Sequence, residues 1–213
     1  MESKENLVKI PLKKGALEGD LQLPPDSKGI VIFAHGSGSS RHSPRNRFVA
    51  ELLQKGGVGT LLIDLLTKEE GEEDEFTAAL RFDIDLLTDR LCCVTQWLQN
   101  TKSLPIGYFG ASTGAAAALC AAAEMKEGIA AVVSRGGRPD LAKAALAEVE
   151  APSLLIVGGH DIPVIGMNEK AYALLKCEKR MVIVPGATHL FEEPGALEEV
   201  ARLALEWFQS HFQ

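Results

Sequence analysis

The chain has 213 residues, 46% hydrophobic and 24% charged, which suits one soluble globular domain with a sizeable core. A formal net charge of −7, with no basic patch interleaved with aromatics, excludes a nucleic-acid binder. No apolar run approaches the roughly 20 residues of a membrane span, and the polar start M-E-S-K-E-N lacks a secretory leader's apolar core, so a cytoplasmic protein without membrane association is expected.

The first two apolar runs, 7–12 and 17–23, flank Lys13-Lys14-Gly15 and predict an antiparallel hairpin at a sheet edge. The third, 30–34, is continuous rather than alternating, as are 60–63, 105–109, 129–134, 153–157 and 181–184. Continuous runs suit parallel strands covered on both faces. After the third comes His35-Gly36-Ser37-Gly38, then a helix opened by Ser43-Pro44, with Phe48, Val49, Leu52 and Leu53 as its buried stripe. Asp64 follows the fourth run and reads as a loop residue. The connection 65–82 is long and acidic, and Glu69, Glu70, Glu72, Glu73, Asp74 and Glu75 read as a solvated loop.

Ile84, Leu87, Leu91, Val94 and Leu98 fall three and four apart and predict a helix, as does the alanine-rich stretch 113–125. Residues 138–152 leave room for one helix and none for an inserted cap. Leu197, Val200, Leu203, Ala204, Trp207 and Phe208 mark a final amphipathic helix. Cys92, Cys93, Cys120 and Cys177 form no C-x-x-C pair and read as buried, reduced thiols. No ligand cluster points to a metal. Strand–helix alternation of this kind makes a single α/β domain over 1–213.

In a parallel sheet the C-terminal strand ends share one edge, where ligands bind. Gly110-Ala111-Ser112-Thr113-Gly114 fits G-x-S-x-G between a strand and a helix, the setting of a nucleophile elbow. A tight turn with a capping serine is the bland alternative. Val157-Gly158-Gly159-His160-Asp161 and Pro185-Gly186-Ala187-Thr188-His189 bring an acid and a base to the same edge. Ser112, Asp161 and His189 are therefore the candidate nucleophile, orienting acid and general base. Asp161 could instead close a turn or cap a helix. Candidate oxyanion donors are the N–H groups of Ser37 and Thr113, with Gly38 as the alternative to Ser37, and His35 would brace the loop. Arg41, Arg45, Arg81, Arg135 and Arg138 flank the edge. Arg41, Arg81 and Arg135 are candidate ligands for an anionic substrate group, and pairing with the acidic stretch is the bland alternative.

Together the eight runs, the H-G-x-G loop, the G-x-S-x-G elbow, the G-x-x-D turn and the late G-x-x-H resemble the α/β-hydrolase superfamily over about residues 7–212. The short length and missing cap are most similar to the dienelactone hydrolase-like family. That resemblance implies a mainly parallel eight-stranded sheet with an antiparallel second strand, helices on both faces, and ester or lactone hydrolysis without a cofactor. Dienelactone hydrolases carry cysteine at the elbow, where this chain has Ser112. The expected partner is a small ester, lactone or thioester, neutral or anionic, acted on by a monomer or homodimer. A peptidase or amidase with the same three residues, or a non-catalytic binding protein on the same fold, are the alternatives.

Overall fold

A computed structural model of the protein describes residues 6–212. Eight strands form one sheet: β1 (Asn6–Pro11), β2 (Ala16–Gln22), β3 (Ile30–Ala34), β4 (Gly59–Ile63), β5 (Ile106–Ala111), β6 (Ala131–Arg135), β7 (Ser153–Gly158) and β8 (Lys179–Val184), in the order β1-β2-β4-β3-β5-β6-β7-β8. β2 runs antiparallel to both of its neighbours, and every pair from β4 to β8 is parallel. The edge hairpin and the antiparallel second strand are thus as expected.

Among the described residues are six α-helices: α1 (Pro44–Lys55), α2 (Lys68–Thr77), α3 (Ile84–Thr101), α4 (Thr113–Met125), α5 (Ile162–Leu174) and α6 (Ala196–His211). The continuous apolar runs of β3 to β7 are explained by two cores; β8 departs from the expectation, because it is an edge strand only partly covered, with Ile183 43% exposed. Val31, Phe33, Phe109 and Val133 pack under α1 and α6, while Ile30, Ile32, Tyr108 and Val132 face the side of α3, α4 and α5. Alternate residues point to opposite faces, so a strand covered on both sides needs no polar positions. In α4, Ala115 to Ala118, Ala121 and Ala122 have no exposed surface. Their small side chains let the helix run close over the strands, which brings the start of α4 to the middle of the sheet edge.

Three further expectations need correction. The acidic stretch is a helix, α2, and not a loop. Thr67 Oγ1 accepts from Glu70 N–H at 3.2 Å and Glu70 Oε2 accepts from Thr67 N–H at 2.8 Å, a reciprocal capping box that was legible as T-x-x-E. α2 buries only Asp74, so no apolar stripe announced it. Helix α5 carried no clear apolar stripe either, and it is set by Pro163 near its start and by the chain reversal between β7 and β8. The cysteines are all free, but of the four only Cys92 is buried: Cys120 and Cys177 are partly exposed, and Cys93 is exposed, because it lies about 100° around α3 from Cys92. The β6–β7 connection is a 3-10 segment, Pro139–Glu148, broken at Lys143, and holds no inserted domain. Among the described residues no helix is long and apolar enough to cross a membrane.

Candidate active site

β5 ends at Ala111, and Ser112 turns the chain into α4 with φ 49° and ψ −121°, a conformation that is costly for any residue with a side chain. The surrounding glycines make the turn possible by close approach. A Cβ on Gly110 would lie 2.4 Å from Ala115 Cα, and one on Gly114 2.3 Å from the Ala34 carbonyl oxygen. Two backbone bonds with the end of β6 and the segment after it hold the strained residue: Ser112 N–H donates to Arg135 O (3.4 Å), and Arg138 N–H donates to Ser112 O (3.0 Å). Ser112 occupies the N-cap position of α4, yet its hydroxyl makes no capping bond. The capping reading of this serine therefore does not hold.

The same is true of Asp161. It stands at the N-cap of α5 without capping it. Its Oδ2 instead accepts from His189 Nδ1 at 2.6 Å across 28 residues of sequence, with the Asp161 side chain 12% exposed and that of His189 39%. Gly136, next to the residue that holds Ser112, packs flat on the histidine: a Cβ there would lie 3.0 Å from His189 O and 3.6 Å from His189 Nδ1. The short segment 135–136 thus touches both Ser112, through Arg135 O, and His189, through Gly136.

The loop after β3 closes the site. Gly36 approaches Ser112 so closely that a Cβ on it would lie 3.1 Å from Ser112 Cβ. Ser37 N–H donates to Thr113 Oγ1 at 2.9 Å, which ties this loop to the first turn of α4. His35 braces it from below. Leu65 N–H donates to His35 Nε2 (3.1 Å), so the proton sits on Nδ1, which donates to Gly36 O (2.9 Å). Burial holds the His35 imidazole below its ordinary 6.5, against smaller opposing effects of the Gly36 bond and Asp64. Because protonation would set two N–H groups face to face, the folded state binds this proton less readily than the unfolded chain. The stability linked to neutral His35 is fully present above pH 6.5 and is lost as pH falls below it. Thermal denaturation of His35→Gln beside the wild type should show a smaller fall in Tm between pH 7 and pH 5 for the variant.

A cleft of about 790 Å³ opens between this loop, α2 and the β1–β2 turn, and is lined by Ser37, Gly38, Arg41, Asp64, Arg81 and Thr113 among others. Ser112, Asp161 and His189 lie outside its lining, beyond Thr113. The arginines behave differently from one another. Arg41 is enclosed by Glu18 (3.0 Å), Asp20 (3.5 Å) and Asp64. Arg81 is clamped by Asp74, through Nε to Oδ2 (2.5 Å) and Nη2 to the backbone oxygen (2.6 Å), while Nη1 faces Gly38. Arg135 does not face the cleft: it is 6% exposed and bonded to Asn46. Arg45 reaches Glu192 and Arg138 reaches Asp140. The pairing of arginine with the acidic stretch is thus real for Arg81 with Asp74 and for Arg90 with Glu70. The Thr113 tether and the Asn46 contact went unrecognised in the sequence, and neither had a local signal. The Asp74 clamp falls under the expected pairing with the acidic stretch, with Arg81 seven positions after Asp74.

A strained serine between a parallel strand and a helix, with a histidine–aspartate pair at the same sheet edge, belongs to the α/β-hydrolase fold. The chain is a member of the dienelactone hydrolase family, whose description matches residues 17–212. The crystal structure of a dienelactone hydrolase from Anabaena variabilis is 59% identical and superposes with a TM-score of 0.96 over 99% of both chains. Est1E from Butyrivibrio proteoclasticus shares the fold at 17% identity, with a TM-score of 0.81 over 96% of this chain and 98% of its own. Two Mycobacterium tuberculosis proteins that carry a provisional phosphoribosyl transferase name are 58% identical over 196 residues, covering 91% of this chain. The chain spans only 43% of their length.

Proposed function

We propose that this hydrolase cleaves small soluble esters, lactones or thioesters through an acyl-enzyme on Ser112. The observation that carries the reading is the shared behaviour of Ser112 and Asp161. Each stands at a helix N-cap, each withholds its side chain from the helix, and Asp161 spends its oxygen on His189. Stability alone would favour two capped helices.

The geometry supports the following steps. Asp161 holds the proton on His189 Nδ1, which leaves Nε2 to accept the Ser112 proton as Oγ bonds to the substrate carbonyl carbon. The carbonyl electron pair moves onto oxygen, facing backbone N–H groups of the loop after β3 and the first turn of α4. Collapse expels the alcohol or thiol, which takes the proton from His189. Water then attacks the acyl-enzyme with His189 again as base, and Ser112 regains its proton. An uncapped site favours small substrates. For an anionic substrate group the arginine best placed is Arg81, whose Nη1 faces the donor loop, since Arg41 is committed to carboxylates and Arg135 is buried. The transferase name of the mycobacterial relatives belongs to proteins more than twice this length and is not carried to these residues.

A fluorophosphonate probe tests the reading directly. Wild type should gain one phosphonyl group, mapped to Ser112, and should turn over neutral or carboxylate-bearing aryl esters. Labelling elsewhere, or a wild type that neither labels nor turns over, rejects it. Thr113→Val tests the tether between the loop after β3 and α4. Ser37 N–H is given to Thr113 Oγ1 at 2.9 Å, which leaves Gly38 N–H as this loop's candidate donor. Removing the hydroxyl should let the loop shift and lower kcat about tenfold, and an unchanged kcat would show that the tether does not place the donor.

A further inference from the structure

Arg135, the last residue of β6, is out of place on electrostatic grounds. Its guanidinium is buried, Nη2 donates to Asn46 Oδ1 at 3.2 Å, and Nε has no hydrogen-bond partner. Among the described residues no carboxylate stands against it, and the charged group that acts on it is Arg45, of the same sign. Burial first, and then Arg45, push its pKa down to about 10, so it remains a cation at neutral pH. A buried cation without a counter-ion works against folding, and an apolar side chain of similar volume would be easier to bury. What faces it is the ring of Phe191, whose centroid lies 5.8 Å from Cζ, within cation–π range.

Each contact of Arg135 leads to a different part of the site. Asn46 is in the first turn of α1, directly after the donor loop. Phe191 lies two residues past His189, with a positive φ of 57°. The Arg135 carbonyl holds the Ser112 N–H, and the neighbouring Gly136 packs on His189. We propose that Arg135 is a positioning residue: its guanidinium, oriented by Asn46 and laid over Phe191, locks the loop that carries His189 onto the strand end that holds Ser112. It acts through Phe191 and does not touch substrate. The kinetic consequence rests on the hydrolase reading above; the structural one does not.

The test uses Arg135→Met, Arg135→Lys, Phe191→Leu and the Met/Leu double variant, with two readouts. One is the downfield proton resonance of His189 Nδ1–H bonded to Asp161. The other is kcat and KM for a neutral aryl ester. Arg135→Met should broaden the resonance and lower kcat by about 10- to 50-fold with KM within about twofold, as expected for a misplaced base. Arg135→Lys should recover most of both. Phe191→Leu should resemble Arg135→Met, and the double variant should be no worse than either single one. An unchanged resonance and kcat in Arg135→Met overturns the proposal, as do losses that multiply in the double variant. A loss confined to KM for carboxylate-bearing esters also overturns it and makes Arg135 an anion ligand. Should Arg135→Met not fold, Arg135→Lys and Phe191→Leu carry the same readouts. An inactive wild type whose His189 resonance still responds to Arg135 would reject the hydrolase reading and keep the positioning role.

Discussion

Ser112→Ala is expected to lower kcat/KM for an aryl ester by about 10⁴-fold or more and to abolish phosphonyl labelling, while leaving the fold intact. The size follows from what the hydroxyl supplies. On the proposed mechanism no acyl-enzyme can form without it, and only the donor N–H groups and substrate positioning remain to assist water, worth about 10³- to 10⁴-fold over the uncatalysed reaction. The small cost to stability follows from what the hydroxyl lacks. It caps nothing in α4, so its removal strands no helix N–H, and alanine at φ 49° carries the same backbone strain as serine. A variant with the wild-type Tm and no turnover is the expected result. A variant that retains a tenth of wild-type turnover would show that the reaction does not pass through Ser112, and one that unfolds would show the hydroxyl to be structural.

Gly114→Ala is expected to be the most damaging single methyl group in the chain. The added Cβ would lie 2.3 Å from Ala34 O and 2.5 Å from His35 O, both backbone atoms at the end of β3. Neither can turn aside as a flexible side chain would. Either α4 lifts off the sheet or the donor loop moves, and overpacking of this kind costs about 3 kcal/mol, at the upper end for inserted methyl groups. For a chain of this size that corresponds to a Tm lower by about 6–12 °C. Turnover should fall further than Tm alone implies, because the displaced atoms belong to the loop that presents Gly38. Gly71→Ala in α2 is the matched control. Nothing lies within 4 Å of its Cβ position, and alanine inside a helix should stabilise by about 0.5–1 kcal/mol. Scanning calorimetry of the two variants checks both signs. Equal Tm values would mean that the approach of α4 to β3 is looser than these distances require.

The two variants also mark where sequence reading works and where it stops. G-x-S-x-G was legible because a sharp strand-to-helix turn demands small residues at fixed offsets, so its requirement is local. The same holds for the continuous apolar runs of β3 to β7 and for the Lys13-Lys14-Gly15 turn. The capping box of Thr67 and Glu70 was equally local and was masked by the acidic run around it. Asp161 is a middle case. Its place past β7 was readable, but a helix cap and a histidine partner look identical in sequence, and only the 2.6 Å contact with His189 Nδ1 separates them.

Arg135 shows the limit. Five arginines flank one sheet edge and three of them looked alike as candidate ligands for an anion, yet Arg41 is enclosed by three carboxylates, Arg81 is clamped by Asp74, and Arg135 is buried against Asn46 and Phe191. What a guanidinium faces depends on elements up to 89 residues away, and no local pattern encodes that. From sequence alone come the strand–helix alternation, the elbow and the chain order of serine, aspartate and histidine, because each rests on backbone sterics or on the periodicity of burial. Only the tertiary structure decides which polar groups find partners and which are left free. Desolvation sets that outcome, and it depends on every element that packs around a site rather than on the residues beside it in the chain.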